Sequence, residues 1–306
     1  MRHRAGEHRN VFAILAFVIA IVSVGFLLYP VAATAWNNAR QARVAQSYEN
    51  SYEVDSPAVR DSVLEAARQY NTSVVGFPIL DPWLNRASKN SGPYLDYLQQ
   101  LNPQRAERPV IASISIPTID AHLPIYHGTD TATLEHGLGH LYGSALPVGG
   151  TGTHPVITGH SGLANATLFD NLEDVKEHDP IYITVQGETL KYEVDAINVV
   201  LPEDTKLLAP DPNKDQITLI TCTPYAVNSH RLLVRAHRVD LDPNDPNLTQ
   251  TGTKIWQPWM LWTAALAVMS RDVVESVEGY AANRRVVSVV VVEVEPAGQR
   301  QASFGL

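Results

Sequence analysis

The run from Gln216 to Arg238, QITLITCTPYAVNSHRLLVRAHR, restricts the possible folds more than any other stretch of the chain. Ile217, Leu219 and Thr221 recur with the period of two that a half-buried strand requires. Cys222 ends that strand and is the only cysteine in the sequence. Pro224, Asn228 and Ser229 mark a loop, because proline cannot donate to a ladder and Asn and Ser favour turns. Arg231 then opens a second strand, Leu232-Leu233-Val234. Antiparallel pairing of the two strands brings a thiol and a guanidinium together at the loop mouth. The pattern predicts a sheet protein with a chemical site at a strand end.

Further period-two runs predict strands at Val110–Ile116, Ile119–Tyr126, Pro155–Thr158, Ile181–Val185 and Leu190–Val200, the last two joined by a Gly187-Glu188 turn. Ser56 and Pro57 suit a helix start, and Val59, Val63 and Ala67 lie on one face of the helix that follows, to about Tyr70. Tyr94–Leu101 predicts a short helix, and Leu168, Phe169 and Leu172 a helical turn. Arg40–Asp55, with Tyr48 and Tyr52, reads as a spacer or frayed helix. Pro202–Asp215 reads as a solvated polar loop, since Asp204, Asp211 and Asp215 lack the spacing of an EF-hand.

At the N-terminus, residues 1–10 carry Arg2, Arg4 and Arg9, and residues 11–29 hold no charge. That length approaches the ~20 residues of a membrane-spanning helix. The rival reading is a signal peptide with a cleavage site at Ala33-Thr34-Ala35, although such apolar cores run to about 7–15 residues. Either way the basic flank leaves the bulk of the chain outside the cytoplasm. There, cysteines usually pair as disulfides, and a single one has no intrachain partner. Cys222 is then either a small buried hydrophobe or a reactive thiol. The net charge of −9 and the lack of a basic stripe exclude nucleic acid as a partner.

Residues 127–162 contain His127, His136, His140, His154 and His160. Glycines at 137, 139, 149, 150 and 152 predict tight turns, a poor frame for a zinc site, so no metal is expected. His160 stands apart because it follows a strand and lies in TGHSG. The other four read as structural or surface residues.

Taken together, TLITC with Arg231 nine residues after its cysteine, and TGH at 158–160, resemble the signatures of sortases, the cysteine transpeptidases of Gram-positive cell surfaces. TCTPY followed by NSHRLLVR resembles the class C, pilin-polymerising branch, and the similarity covers roughly residues 75–240. Asp81-Pro82-Trp83 is similar to the lid motif of that class. Ala236 departs from the glycine often found in the family, at a position beyond the site. The resemblance implies an all-β fold: an eight-stranded sortase-type barrel with short flanking helices, an N-terminal transmembrane helix and an N-terminal lid. The expected organisation is a cytoplasmic end (1–10), a transmembrane anchor (11–29), a helical and lid region (30–105), the catalytic barrel (106–242) and a linker (243–254). A possible second span (255–270) and an unassigned tail (271–306) complete it. The possible span has no charge and three tryptophans but is short for a bilayer.

The resemblance also implies chemistry. Cys222 is the nucleophile, His160 the base and acid, and Arg231 the donor that holds the oxyanion or the substrate backbone. Asp81 and Trp83 form the lid over them. The expected substrates are pilins and surface proteins with an LPXTG-like sorting signal, cleaved after Thr and passed to a pilin lysine, without metal or organic cofactor. A housekeeping sortase acting on peptidoglycan and a secreted thiol peptidase are the alternatives. A surface scaffold would leave Cys222 and the TGH motif unexplained.

Overall fold

The computed structural model describes residues 4–52, 56–74, 91–104, 106–249, 260–263, 265, 266 and 268. It divides into two compact units, Ala32–Ile255 and a second formed by Met1–Val31 with Trp256–Leu306. The expected lid residues Asp81 and Trp83, most of 255–270 and all of 271–306 lie outside the described residues.

Eight strands form the larger unit: β1 (Val110–Ile116), β2 (Ala121–His127), β3 (Leu138–His140), β4 (Val156–Thr158), β5 (Pro180–Val185), β6 (Glu188–Val200), β7 (Gln216–Thr223) and β8 (His230–Val239). They close into a barrel in the order β1-β2-β3-β4-β7-β8-β6-β5. The β2–β3 and β4–β7 pairs are parallel and the rest antiparallel. Ile114, Leu123, Ile125, Ile157, Ile183, Ile217, Leu219 and Val234 fill the interior. Each such side chain contributes about 1.5–3 kcal/mol by leaving water.

The helices α1 (Arg4–Ser51), from Ala32 onward, α2 (Pro57–Val74) and α3 (Gly92–Gln99) flank the barrel within the larger unit. Arg40–Ser51 is neither spacer nor frayed end. It is the last part of α1, and it covers the outer face of β1. Tyr48 Oη donates to Ile111 O at 2.7 Å. Glu49 Oε1 accepts from Ser113 Oγ at 2.5 Å and lies 2.9 Å from His122 Nε2. That cover explains why consecutive residues of β1 are buried, Ser113 included, where alternation alone predicts one wet face. On α2 the buried face is Leu64, Ala67 and Asn71, while Val59 is 47% exposed, one turn short of the barrel. Asn71 exchanges two hydrogen bonds with the backbone of Leu146, at 3.0 and 2.7 Å.

Three further features depart from expectation. β3 falls in the Gly/His-rich segment and is too short, at three residues, to show a period. Asp215 is not solvated: it accepts from Gly150 N at 2.9 Å and from Tyr192 Oη at 3.1 Å. Residues 243–249 of the expected linker pack against the barrel, with Asp245 accepting from Lys191 Nζ at 2.6 Å and Tyr182 Oη at 2.7 Å.

In the smaller unit, residues 11–29 lie within α1, and Leu15, Ile19, Ile21, Phe26 and Tyr29 are exposed. Among the described residues no helix is long and apolar enough to cross a membrane.

Candidate active site

Cys222 and Arg231 are Cα partners in the β7–β8 ladder, so their side chains leave the same face of the sheet. That face is the outer one. Ile220 and Leu233, one strand period back from them, belong to a second apolar cluster with Leu141, Val156 and Leu208, separate from the barrel interior. Val200 of β6 pairs with Arg231 and packs on the same cluster. A thiol and a guanidinium therefore stand at the edge of a buried apolar cluster that lies outside the barrel interior.

His160 reaches this place from the other side of β7. Strand β4 runs parallel to β7 with Thr158 opposite Ile220, so two residues further along His160 comes level with Cys222. The alignment continues past the strand end. Gly159 N donates to Ile220 O at 3.0 Å, Thr221 Oγ1 to Gly159 O at 2.9 Å, and Ser161 Oγ to Cys222 O at 2.6 Å. A Cβ on Gly159 would lie 2.5 Å from Leu138 Cδ2 and 2.8 Å from Phe169 Cδ2, so only glycine lets the chain pass this close to the core.

His160, Cys222 and Arg231 are all half-buried. Burial holds the His160 imidazole below the usual histidine range, partly offset by the negative charge of Glu135. A neutral imidazole at neutral pH is the form that takes a proton from a thiol. Arg231 is oriented by its own loop: Nη1 donates to Asn228 O at 3.2 Å and to His230 O at 3.1 Å. Asn228 and Ala226 hold positive φ, at 59° and 63°, which bends the 224–229 loop back toward the arginine.

Sequence reasoning missed the residues that hold this arrangement. Ser161 ties the histidine segment to the cysteine strand. Asp170, 8% exposed, accepts from Gly162 N at 2.7 Å, and Phe169 N donates to His160 O at 3.1 Å. Burial pushes the Asp170 carboxyl up to about 7, and burial, with a smaller part from the Asp170 charge, raises the Tyr225 phenol on the 224–229 loop. Ser161 was detectable as the residue after TGH; Asp170 carries no local signal.

The remaining histidines are elsewhere. His127 and His140 are buried, each 2.7 Å from a backbone carbonyl, of Gln100 and Ala145, and His154 Nε2 lies 2.7 Å from Thr218 Oγ1. His136 is exposed. No cluster of three or more metal-ligating side chains occurs among the described residues. A cavity of about 1310 Å³, lined by Arg68, Gly150, Lys214, Asp215 and Arg238 among others, includes none of the three site residues.

A closed eight-stranded barrel bearing a lone thiol, an imidazole and a guanidinium on one outer edge defines a narrow class of proteins. Residues 114–239 match the sortase domain family. Sortase A from Corynebacterium diphtheriae shares 98% identity over 70% of this chain and 100% of its own, with a TM-score of 0.63. A lid mutant of that protein shares 96% over 63% and 100%, with a TM-score of 0.60. Sortase C-1 from Actinomyces oris shares 49% over 60% and 99%, with a TM-score of 0.56. Sortase A of Streptococcus agalactiae is 33% identical over 42% of this chain and 52% of its own length, so the match spans about half of that relative. The chain belongs to the sortase family.

Proposed function

We propose that this chain is a cysteine transpeptidase that polymerises pilins in the manner of class C sortases. The observation that carries the reading is the register: β7–β8 pairing sets Arg231 opposite Cys222, and β4–β7 pairing brings His160 level with it. His160 takes the thiol proton, and the Cys222 sulfur attacks the carbonyl carbon of the Thr in an LPXTG-like signal. Charge builds on the carbonyl oxygen, where the Arg231 guanidinium stabilises it. Collapse breaks the Thr–Gly bond, and the imidazolium returns its proton to the leaving glycine amine. The neutral lysine amine of a second pilin then attacks the thioester carbonyl, the C–S bond breaks as the isopeptide bond forms, and His160 passes the amine proton to the departing Cys222 sulfur.

Two further elements belong to this reading. Residues 11–29 anchor the chain and leave the barrel outside the cell, supported by their lack of charge and by exposed apolar side chains such as Ile19 and Phe26. Asp81 and Trp83 close over the site, with Asp81 pairing Arg231 and the indole covering Cys222. The DPW run and the likeness to a sortase described as a lid mutant support that closure.

The naming of curated relatives as sortase A favours one other reading, transfer to a cell-wall amine. Incubation with a pilin carrying an LPXTG-type signal separates the cases. A ladder of covalent multimers on a denaturing gel, absent with Cys222→Ala and His160→Ala, is expected. Transfer only to a peptidoglycan-type amine favours the housekeeping role, and cleavage without transfer favours a peptidase.

A further inference from the structure

We infer that Asp170 is a positioning residue for His160, acting through the Gly162 N–H at the turn that follows the imidazole. The inference rests on the reading of His160 and Cys222 given above.

The backbone beyond β4 is held by two kinds of tie. On one side Ser161 Oγ donates to Cys222 O at 2.6 Å, fixing the segment laterally against β7. On the other side the chain must turn away. It does so at Gly162, whose φ of +79° suits glycine, and whose position faces Ala226 of the 224–229 loop. The loop that leaves here returns at Phe169 and Asp170. Phe169 N closes on His160 O at 3.1 Å, and Asp170 Oδ1 accepts from Gly162 N at 2.7 Å. His160 and Ser161 thus lie between two clasps supplied by adjacent residues from the far end of the loop.

The acceptor is a carboxylate that is 8% exposed, an expensive group to bury for a simple loop closure. An oxygen that accepts from a backbone N–H inside a buried turn holds that turn, whether it belongs to a carboxyl or to an amide. Burial raises the Asp170 carboxyl and the Gly162 N–H opposes that rise, with Glu173 acting in the same sense as burial. Gly162, which Asp170 holds, also faces the loop joining Cys222 to Arg231, a Cβ there lying 3.6 Å from Ala226 N, so the tie sits at the junction of that loop with the histidine loop. A group at that junction sets the distance between the proton carrier and the thiol.

An acceptor role makes a sharp distinction between substitutions. Asp170→Asn retains an oxygen able to accept from Gly162 N, whereas Asp170→Ala removes it. The test uses the full chain in detergent, a fluorescence-quenched peptide containing Leu-Pro-Ala-Thr-Gly as substrate, and amide exchange at Gly162. For Asp170→Ala, kcat is expected to fall roughly 10- to 100-fold with KM within about twofold, since a small misplacement acts on the chemical step. Gly162 exchange should accelerate at least about tenfold, reporting loss of the tie. Asp170→Asn should keep both within about threefold of wild type. Asp170→Ser, too short to reach Gly162 but polar, replaces the alanine variant if that fails to fold. Wild-type kcat in Asp170→Ala or Asp170→Ser overturns the inference, and so does an Asp170→Asn variant as impaired as the alanine. A wild-type chain that leaves the peptide uncut overturns the functional reading itself, and the positioning role with it.

Discussion

Asn38 and Thr167 exchange two hydrogen bonds, Asn38 Nδ2 to Thr167 Oγ1 at 2.7 Å and Thr167 N to Asn38 Oδ1 at 3.0 Å. Asn37 Nδ2 adds a third contact, to Asn165 O at 2.8 Å. The loop that starts at His160 is therefore stapled to α1 at its midpoint. Asn38 is fully buried, so Asn38→Ala leaves the Thr167 N–H without its acceptor. A loss of about 2–4 kcal/mol is expected, from two bonds and one stranded donor. Urea denaturation measures it, and a several-fold fall in kcat should accompany it.

Arg231→Lys should abolish most polymerisation. The guanidinium donates through Nη1 to the carbonyls of Asn228 and His230, and its other donors belong to a planar fork. An ammonium is a point charge on a flexible stem and cannot satisfy both demands. Near-normal ladder formation by this variant excludes the oxyanion role.

Acid should destabilise the barrel through its buried histidines. Burial holds His127 at about 4 and His140 at about 3, against about 6.5 in an unfolded chain. Below pH 6.5 the unfolded chain binds protons that the folded chain refuses, so stability falls as pH is lowered. Each histidine contributes up to about 1.4 kcal/mol per pH unit. Asp170 works in the opposite sense, because its raised carboxyl lets the folded chain take up a proton first as pH falls from about 7. Denaturation midpoints between pH 7.5 and 5 should thus fall less steeply for His127→Gln than for wild type, and more steeply for Asp170→Asn.

The lid carries its own prediction. In the closure proposed above, an exposed ion pair from Asp81 would contribute about 0–1 kcal/mol and partial burial of the Trp83 indole roughly 1–2 kcal/mol more. The resulting open fraction is on the order of 1–15%. Alkylation of Cys222 by a small thiol reagent should therefore run roughly 5- to 100-fold faster in Asp81→Ala with Trp83→Ala. An unchanged rate reduces the DPW stretch to a packed segment.

What sequence alone made legible followed local chemistry. β1 is read at both ends from VIASISI, and the Cys222–Arg231 pairing follows from one strand, one loop and one strand. His160 was found by its motif, while its placement beside Cys222 depends on a parallel pair between distant strands. The same holds for the misread parts. Residues 40–51 look polar because their partners, Ser113 and His122, are polar too, and a helix buried on hydrogen bonds shows no apolar stripe. Asp215 looks solvated until the Gly150 and Tyr192 donors are in place. Asp170 gains its meaning only from the turn at Gly162.

The parallel pairing of β4 with β7 has a consequence for the life of the chain before it reaches its working state. The imidazole and the thiol are separated by about 60 residues, and such a non-local pairing forms late in folding. Until the barrel closes, Cys222 is an ordinary thiol with a pKa near 8.5, largely protonated at neutral pH. A chain still being exported, or partly unfolded by stress, carries no assembled nucleophile and cannot acylate itself on passing surface proteins. Reactivity is thereby made conditional on completed folding.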